Sequence, residues 1–274
     1  MTLCIHRGVQ CALYRDTIER MGRKQKTARP MREVAYHHIQ HKISSRELRA
    51  GAPVSDLGVA KELGISRTPA REAIRQLVSE GLLESTAGRG VVVVTLYRDD
   101  LRELFEMREA LEGLAAQTVA ERSASAAEIR DFRAVAAAMT ALVKELETSR
   151  KQNLDEKQME RFEVADLAFH TYLMRLAGNR RSLKVVADIR LLIRIFAARR
   201  GGHNLAVLKQ ISRDHLDLIA AVQAKNPDAA AQCIHRHVSN SRTSRIEEFD
   251  RREREAALPQ DVDAFLAEIQ AELA

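Results

Sequence analysis

The chain has 274 residues, a formal net charge of +6, no tryptophan, 4% aromatic residues, 12 glycines and 5 prolines, with alanine, leucine, arginine and glutamate abundant. That is a helix-forming composition with enough length for two separately cored units. It excludes a bilayer-spanning segment, because no apolar run is long enough, and a disulfide-stapled secreted scaffold, because Cys4, Cys11 and Cys233 stand at unrelated spacings with no CxxC pair.

Residues 1–30 carry seven Lys/Arg against two Asp/Glu, residues 31–97 nine against seven, and residues 98–274 twenty-eight against twenty-nine. The front of the molecule is therefore basic and the large remainder near neutral, which fits a polyanionic partner at the front. A merely solubilising basic tail explains the charge equally well. The leading 30 residues have weak periodicity, with a short helix around Cys11 to Met21 as the one candidate element. They read as a poorly ordered basic tail, or as an over-long start of the reading frame. Leu3 to Ile5 is followed at once by His6 and Arg7, which leaves no signal-peptide core, and a reducing cytoplasm is the expected setting.

Residues 31–97 read as one compact unit. A helix is expected over about Arg32 to Ile43, with Val34, Ile39 and Ile43 facing its core. A turn follows at Gly51-Ala52-Pro53, then a short helix from Ser55 to Leu63 that stops at Gly64. Ser66 is placed to cap the next helix, which starts at Arg67 and tolerates Pro69 in its first turn. At about 100° per residue, Ala70, Ala73, Ile74 and Leu77 share one arc, while Arg67, Thr68, Arg71 and Arg75 share another. Gly81 ends that helix. Leu82 to Ser85 and Val91 to Thr95 read as two strands around a tip that carries Arg89. Three helices and a hairpin in this order make a winged helix-turn-helix.

From residue 98 the pattern is helical throughout, with helices near 99–122, 126–150, 155–177, 182–200, 205–224 and 227–254. The breaks fall at Gly178-Asn179, Gly201-Gly202 and Asn226-Pro227. Residues 98–255 thus read as an all-α six-helix bundle, followed by an amphipathic segment over 256–274 whose apolar positions from Val262 to Leu273 need a surface to pack on. The fold class is mainly α: an N-terminal winged helix-turn-helix joined to a C-terminal helical bundle.

The arginine arc has a definite chemistry. Arg67 and Arg71, four apart, can each make two hydrogen bonds to guanine O6 and N7 in a DNA major groove. Thr68 and the free N–H groups of the helix start can meet phosphate, Arg75 the backbone further along, and Arg89 the adjacent minor groove or a phosphate. An amphipathic surface helix with solvated arginines is the plainer reading of that helix taken alone. In the bundle, Asp166 and His170 lie at i, i+4 and share a face, and His215 and His237 sit on two later helices. One carboxylate and three imidazoles suit Zn, Ni, Mn or Fe. Each histidine singly is as well read as a satisfied core or surface residue, and His6, His37, His38, His41, His203 and His235 are read that way.

The run from Ile39 to Val94 resembles the GntR family of bacterial transcription regulators. The matching residues are Ile43, Leu48, Gly51, Ala60, Leu63 to Ile74 without a gap, Leu77, Glu80-Gly81-Leu82 and Gly90. Residues 99 to about 240 resemble the FCD-type effector domain that often follows it, through Phe105-Glu106-Met107-Arg108, Leu111-Glu112, Asp166-Leu167-Ala168-Phe169-His170, Ala177-Gly178-Asn179, Asp214-His215, Ala230 and His237.

The resemblance implies that Arg67, Thr68 and Arg71 read bases and that Asp166, His170, His215 and His237 hold a divalent metal. It implies that a small carboxylate effector binds there, with Arg108 and Asn179 at positions tied to that pocket. It also implies a homodimer on a palindromic double-stranded DNA operator, most relatives being repressors released by their effector. A surface i, i+4 pair with Glu112 is the alternative for Arg108. Two departures stand out, Arg46 where the family usually has Gly and Leu57 where many members have a DNA-contacting Arg. A purely structural metal is a second reading of the site. Metal-dependent hydrolysis is a third, weakened by the lack of a recognisable general base, phosphate loop, HExxH or GxSxG.

Overall fold

The computed structural model describes residues 30–45, 47–149, 151–196 and 202–257. The expected basic tail, Arg46, Gly201 and the amphipathic segment over 261–273 lie outside these described residues.

Helix α1 (Met31–Ser44) buries Ala35, Ile39 and Ile43, an i, i+4, i+8 stripe. Val34, expected in the core, is only half-buried because it sits one step off that stripe. Helix α2 (Asp56–Leu63) begins at Ser55, whose side chain accepts from the Gly58 N–H, and ends at Gly64 with φ +64°. Helix α3 (Arg67–Ser79) buries Ala70, Ala73, Ile74 and Leu77, the expected arc.

Its end is a paired closure. The Gly81 N–H donates to Val78 O at 3.1 Å and the Leu82 N–H to Leu77 O at 3.0 Å, with Gly81 at φ +76°. Ser66 occupies the capping position in an extended conformation, but its side chain makes no capping hydrogen bond, a correction to its expected role. Strand β1 (Leu83–Thr86) pairs antiparallel with β2 (Gly90–Val93), from Leu83↔Val93 to Thr86↔Gly90. β1 starts one residue later than expected, the Leu82 N–H being spent on the helix closure, and β2 one residue earlier, with Gly90 paired to Thr86. The segment before α2 adds a partial third rung. Gly51 N–H donates to Val93 O, Val93 N–H to Ala52 O and Val54 N–H to Val91 O.

Six further helices follow: α4 (Arg98–Glu121), α5 (Ala126–Thr148), α6 (Glu156–Ala177), α7 (Arg180–Phe196), α8 (Leu205–Gln223) and α9 (Pro227–Ala257). Their starts are written locally. Ser125 and Glu128 exchange caps at the head of α5, Asp155 and Gln158 do the same for α6, and Asn204 caps α8. Asn226 accepts from the Ala229 N–H ahead of Pro227, the expected helix start. Phe105, Phe132 and Phe169 anchor the bundle core, the last two with ring centroids 4.7 Å apart.

Helix α7 is shared. Ile189 and Ile193 belong to the bundle core, whereas Ile195, with Leu191, Leu192 and Phe196 beside it, joins the core of the winged helix. Among the described residues, no helix is long and apolar enough to cross a membrane.

Candidate functional site

The first candidate surface is the N-terminal half of α3. Ser66, Arg67, Thr68, Arg71 and Arg75 are all exposed, on the side opposite the buried arc. Arg89 stands at the hairpin tip, where its N–H closes a turn on Thr86 O at 3.2 Å. Arg67 and Arg71 are not loose. Both reach Asp56 at the head of α2, Arg67 through Nε at 3.3 Å and Nη2 at 2.9 Å to Oδ1, and Arg71 through Nε and Nη2, each at 2.9 Å, to Oδ2. Those two guanidiniums hold the Asp56 carboxyl below its usual range. Leu57 is 60% exposed beside them, so an apolar side chain stands where the resemblance expects a DNA-contacting arginine.

The second candidate is inside the bundle. Asp166 and His170 come from α6, His215 from α8 and His237 from α9, and one donor atom of each lies within 4.8 Å of all the others. His170 Nε2 is 3.2 Å from His237 Nε2, and Asp166 Oδ1 is 3.6 Å from His170 Nε2 and 3.7 Å from His215 Nε2. Donors bound to one ion at about 2.0–2.2 Å lie at such spacings.

The three rings are buried, and Asp166 is partly so. His215 stacks on Phe169 with centroids 3.6 Å apart, and neither of its nitrogens has a hydrogen-bond partner. A buried imidazole with both nitrogens orphaned lacks something to bind. A cation held by this donor set would satisfy the nitrogen that faces Asp166, Nε2, so the residues fit a divalent metal.

A second layer surrounds the cluster. Glu112, fully buried on α4, accepts from His170 Nδ1 and also from Arg108 Nε at 2.8 Å. Burial works to raise the Glu112 carboxyl, but Arg108 and then His170 outweigh it and keep it well below the carboxylate range. Asp214 Oδ2 stands 3.6 Å from His237 Nδ1. With their Nδ1 sides turned to carboxylates, His170 and His237 present Nε2 to the cluster. Burial lowers the pKa of His215 and of His237, so both rings stay neutral, as ligands must.

A cavity of about 860 Å³ opens beside the cluster, lined on the bundle side by Phe105, Arg108, Asp166, Arg190, Ile193 and His237. It extends to Tyr36 and Gln40 of α1 and to Glu80 behind α3. Arg190 on α7 donates from Nη2 to Asp166 Oδ2 at 2.6 Å, while its Nε and Nη1 are buried without partners.

Of the two residues expected at an effector pocket, Arg108 lines this cavity and Asn179 does not. Asn179 is the cap of α7, its Oδ1 accepting from the Arg181 and Ser182 N–H groups at 3.1 Å each, on the exposed side of the turn. The expected Arg108–Glu112 pair exists, but in the interior rather than on the helix surface. Arg190, Asp214 and Asp56 have no role in the sequence reading. Only Asp56, at the first position of a capped helix facing the arginine arc, carried a local signal. His203 and His38 are satisfied, the first packed on Phe162 and the second paired with Glu62.

Comparison with known proteins puts both halves in context. The profile described as bacterial regulatory proteins, gntR family, matches residues 31–93, and that of the FCD domain matches residues 103–240. A probable D-xylose utilization operon transcriptional repressor of Paenarthrobacter nicotinovorans is 30% identical over 201 residues, spanning 73% of this chain and 82% of that protein. The HTH-type transcriptional repressor RspR of Escherichia coli (strain K12) is 24% identical over 76% of this chain and 86% of its own length. The solved structure of E. coli McbR/YncC superposes with a TM-score of 0.59 at 17% identity, over 81% of this chain and all of that one, a likeness of fold.

Proposed function

This chain belongs to the GntR family of bacterial regulatory proteins and carries the FCD domain, and from that premise we propose that it is a dimeric, cytoplasmic repressor that binds a palindromic operator and senses a small carboxylate metabolite at a divalent metal. Its relatives are transcription regulators, not enzymes. In this reading Arg67, Thr68 and Arg71 read base edges, while Arg75, Arg89 and Ser66 meet the phosphate backbone or minor groove. A two-fold dimer sets two such helices one helical turn apart on the operator.

The observation that carries the sensing half is the meeting of four donor side chains, one of which, His215, has both nitrogens buried without a partner. Asp166, His170, His215 and His237 would hold the metal, with Zn, Ni, Mn and Fe all compatible with one carboxylate and three imidazoles. The bound ion would supply a Lewis-acidic position for a carboxylate oxygen. The chain's own contribution is orientation. Glu112 fixes the tautomer of His170, and Asp214 steadies His237. Arg190 offers its unpartnered Nη1 to the second carboxylate oxygen.

A ligand that engages Arg190 acts on α7, whose far end is packed in the winged-helix core. The response is bounded by the difference in ligand affinity between the two arrangements of the molecule. Release from the operator is the expected sign.

A structural metal is the second reading. It is supported by the fact that His170 and His215 do not line the cavity and are at most 1% exposed. One screen separates the two. Metal-loaded protein is melted with a panel of small organic and sugar acids, before and after chelation. Sensing predicts a stabilising acid whose effect vanishes with chelator, rising as RT ln(1 + [L]/Kd), and which releases the operator. A chelator that lowers Tm while no acid shifts it refutes sensing and leaves the structural metal.

A further inference from the structure

The clasp between Asp56 and the two exposed arginines of α3 is more than a surface ion pair. A guanidinium has five N–H donors in a planar fork, and it can use one edge at a time for a bidentate partner. Both Arg67 and Arg71 turn the same edge, Nε with Nη2, toward Asp56. The opposite end, Nη1 with the second hydrogen of Nη2, is left unpaired on each, and both side chains are more than half exposed. That end is the fork that fits guanine O6 and N7. One carboxylate therefore sets the direction of two base-reading groups, one per oxygen.

The carboxylate itself is well held. Its side chain is 17% exposed against 57% and 52% for the two arginines. It lies at the first position of a helix capped by Ser55, where the helix N-terminus favours a negative charge. No residue of the described chain pairs with Arg75 or Arg89 in a comparable way.

We propose that Asp56 is a positioning residue for sequence recognition: by holding Arg67 and Arg71 edge-on before DNA arrives, it determines how sharply the protein distinguishes guanine at the positions beneath α3. This rests on α3 being the base-reading helix. The function is distinct from affinity. A carboxylate near phosphates opposes binding through its charge, so removing it would strengthen contact with DNA in general while blurring the choice of base. Orienting the arginines in advance also spares part of the side-chain ordering that recognition otherwise costs.

The test uses the full-length protein and a pool of duplexes with a randomised core, the bound fraction being sequenced. The wild type is expected to enrich guanine at fixed positions of each half-site. Asp56→Ala is expected to cut that enrichment by about tenfold, the discrimination of one bidentate arginine–guanine pair, while binding to the unselected pool stays equal or rises. Asp56→Asn, which keeps one oxygen and the shape, is expected to lie between.

Circular dichroism and Tm establish that the variants fold, Ser55 retaining its cap. An Asp56→Ala protein that is folded and enriches guanine as steeply as the wild type overturns the proposal. So does one that weakens binding to all sequences alike with unchanged preference, since that is what a helix-start role alone would do. If Arg67→Ala and Arg71→Ala also leave the preference unchanged, the failure lies with α3 as the reading helix.

Discussion

Replacing His215 with leucine should make the metal-free protein more stable and the metal-loaded protein less so. The ring is 1% exposed, neither nitrogen has a hydrogen-bond partner, and Asp166 Oδ1, 3.7 Å from Nε2, is beyond hydrogen-bond reach. Each buried polar group left without a partner costs about 1–3 kcal/mol. Leucine is similar in size and has no polar atoms, so it removes that cost. It also forfeits the stack on Phe169, worth about 0.5–1.5 kcal/mol.

At the low end for the two nitrogens, about 2 kcal/mol, less about 1 kcal/mol for the stack, the net gain without metal is about 1 kcal/mol, or about 2–4 °C in Tm for a chain of this length. With metal at about 100 times Kd the wild type gains about 2.7 kcal/mol, about 5–10 °C, and the variant, short of one donor in four, should lose most of it. The assay is paired melting of both proteins in chelator and in Zn, Ni or Mn. A variant that keeps the full metal shift would remove His215 from the ligand set. A chelated variant melting several degrees below chelated wild type would mean that the imidazole is satisfied in the metal-free state, and the orphaned-nitrogen reasoning would fall with it.

Other consequences are as direct. Arg71→Ala should weaken specific DNA binding by about 1–3 kcal/mol, with Tm unchanged, since the side chain is exposed; normal affinity for a selected site in a gel-shift titration would contradict its assignment. Glu128 is held to about 2, chiefly by Arg122 and then by the Ser125 N–H, against an ordinary value of 4.5. A carboxyl depressed by folding stabilises above its unfolded pKa and loses that contribution as pH falls through the folded one. The stability gap between wild type and Glu128→Gln in urea titrations should therefore be full at pH 7 and close between about pH 4.5 and 2; a pH-independent gap would refute it. Gly202→Ala would set a methyl 1.8 Å from Leu154 O, a backbone atom. It should cost more than about 3 kcal/mol, the upper end for ordinary substitutions, and unchanged denaturation would show that this crossing is looser than described.

Sequence alone reaches the scaffold wherever a local rule decides the matter. The buried arc of α3 follows from side chains every three or four positions. Gly81 and Gly178, at φ +76° and +78°, end helices where the chain turns left-handed. Asn226-Pro227 starts one. The four candidate ligands are also legible, as two on one helix face and one on each of two others. What escapes depends on side chains meeting from distant elements. Arg190 reads as one more arginine on an amphipathic helix until α7 is laid beside Asp166. Glu112 looks like the outer half of a surface pair until burial puts both partners inside. Asn179 and Ser66 mislead in a related way. Each takes its expected role from its place in a pattern, while the hydrogen bonds actually made decide otherwise: Asn179 spends its oxygen on two backbone N–H groups, and Ser66 spends none on the helix it precedes.

The sharing of α7 between two cores bears on modularity. Exchanging reading heads among regulators treats the winged helix as a cartridge that can be cut out at the connection after β2. In this chain that cut would strip Ile195 from the head's interior, together with Leu191, Leu192 and Phe196. The side chain of Leu192 comes within 3.6 Å of where a methyl on Gly81 would lie, so the closure of α3 itself rests on the borrowed helix. A transplant that carries residues 31–97 alone leaves an apolar wound on the head, and a chimera keeps its seal only if α7 travels with it or the new host offers the same four side chains.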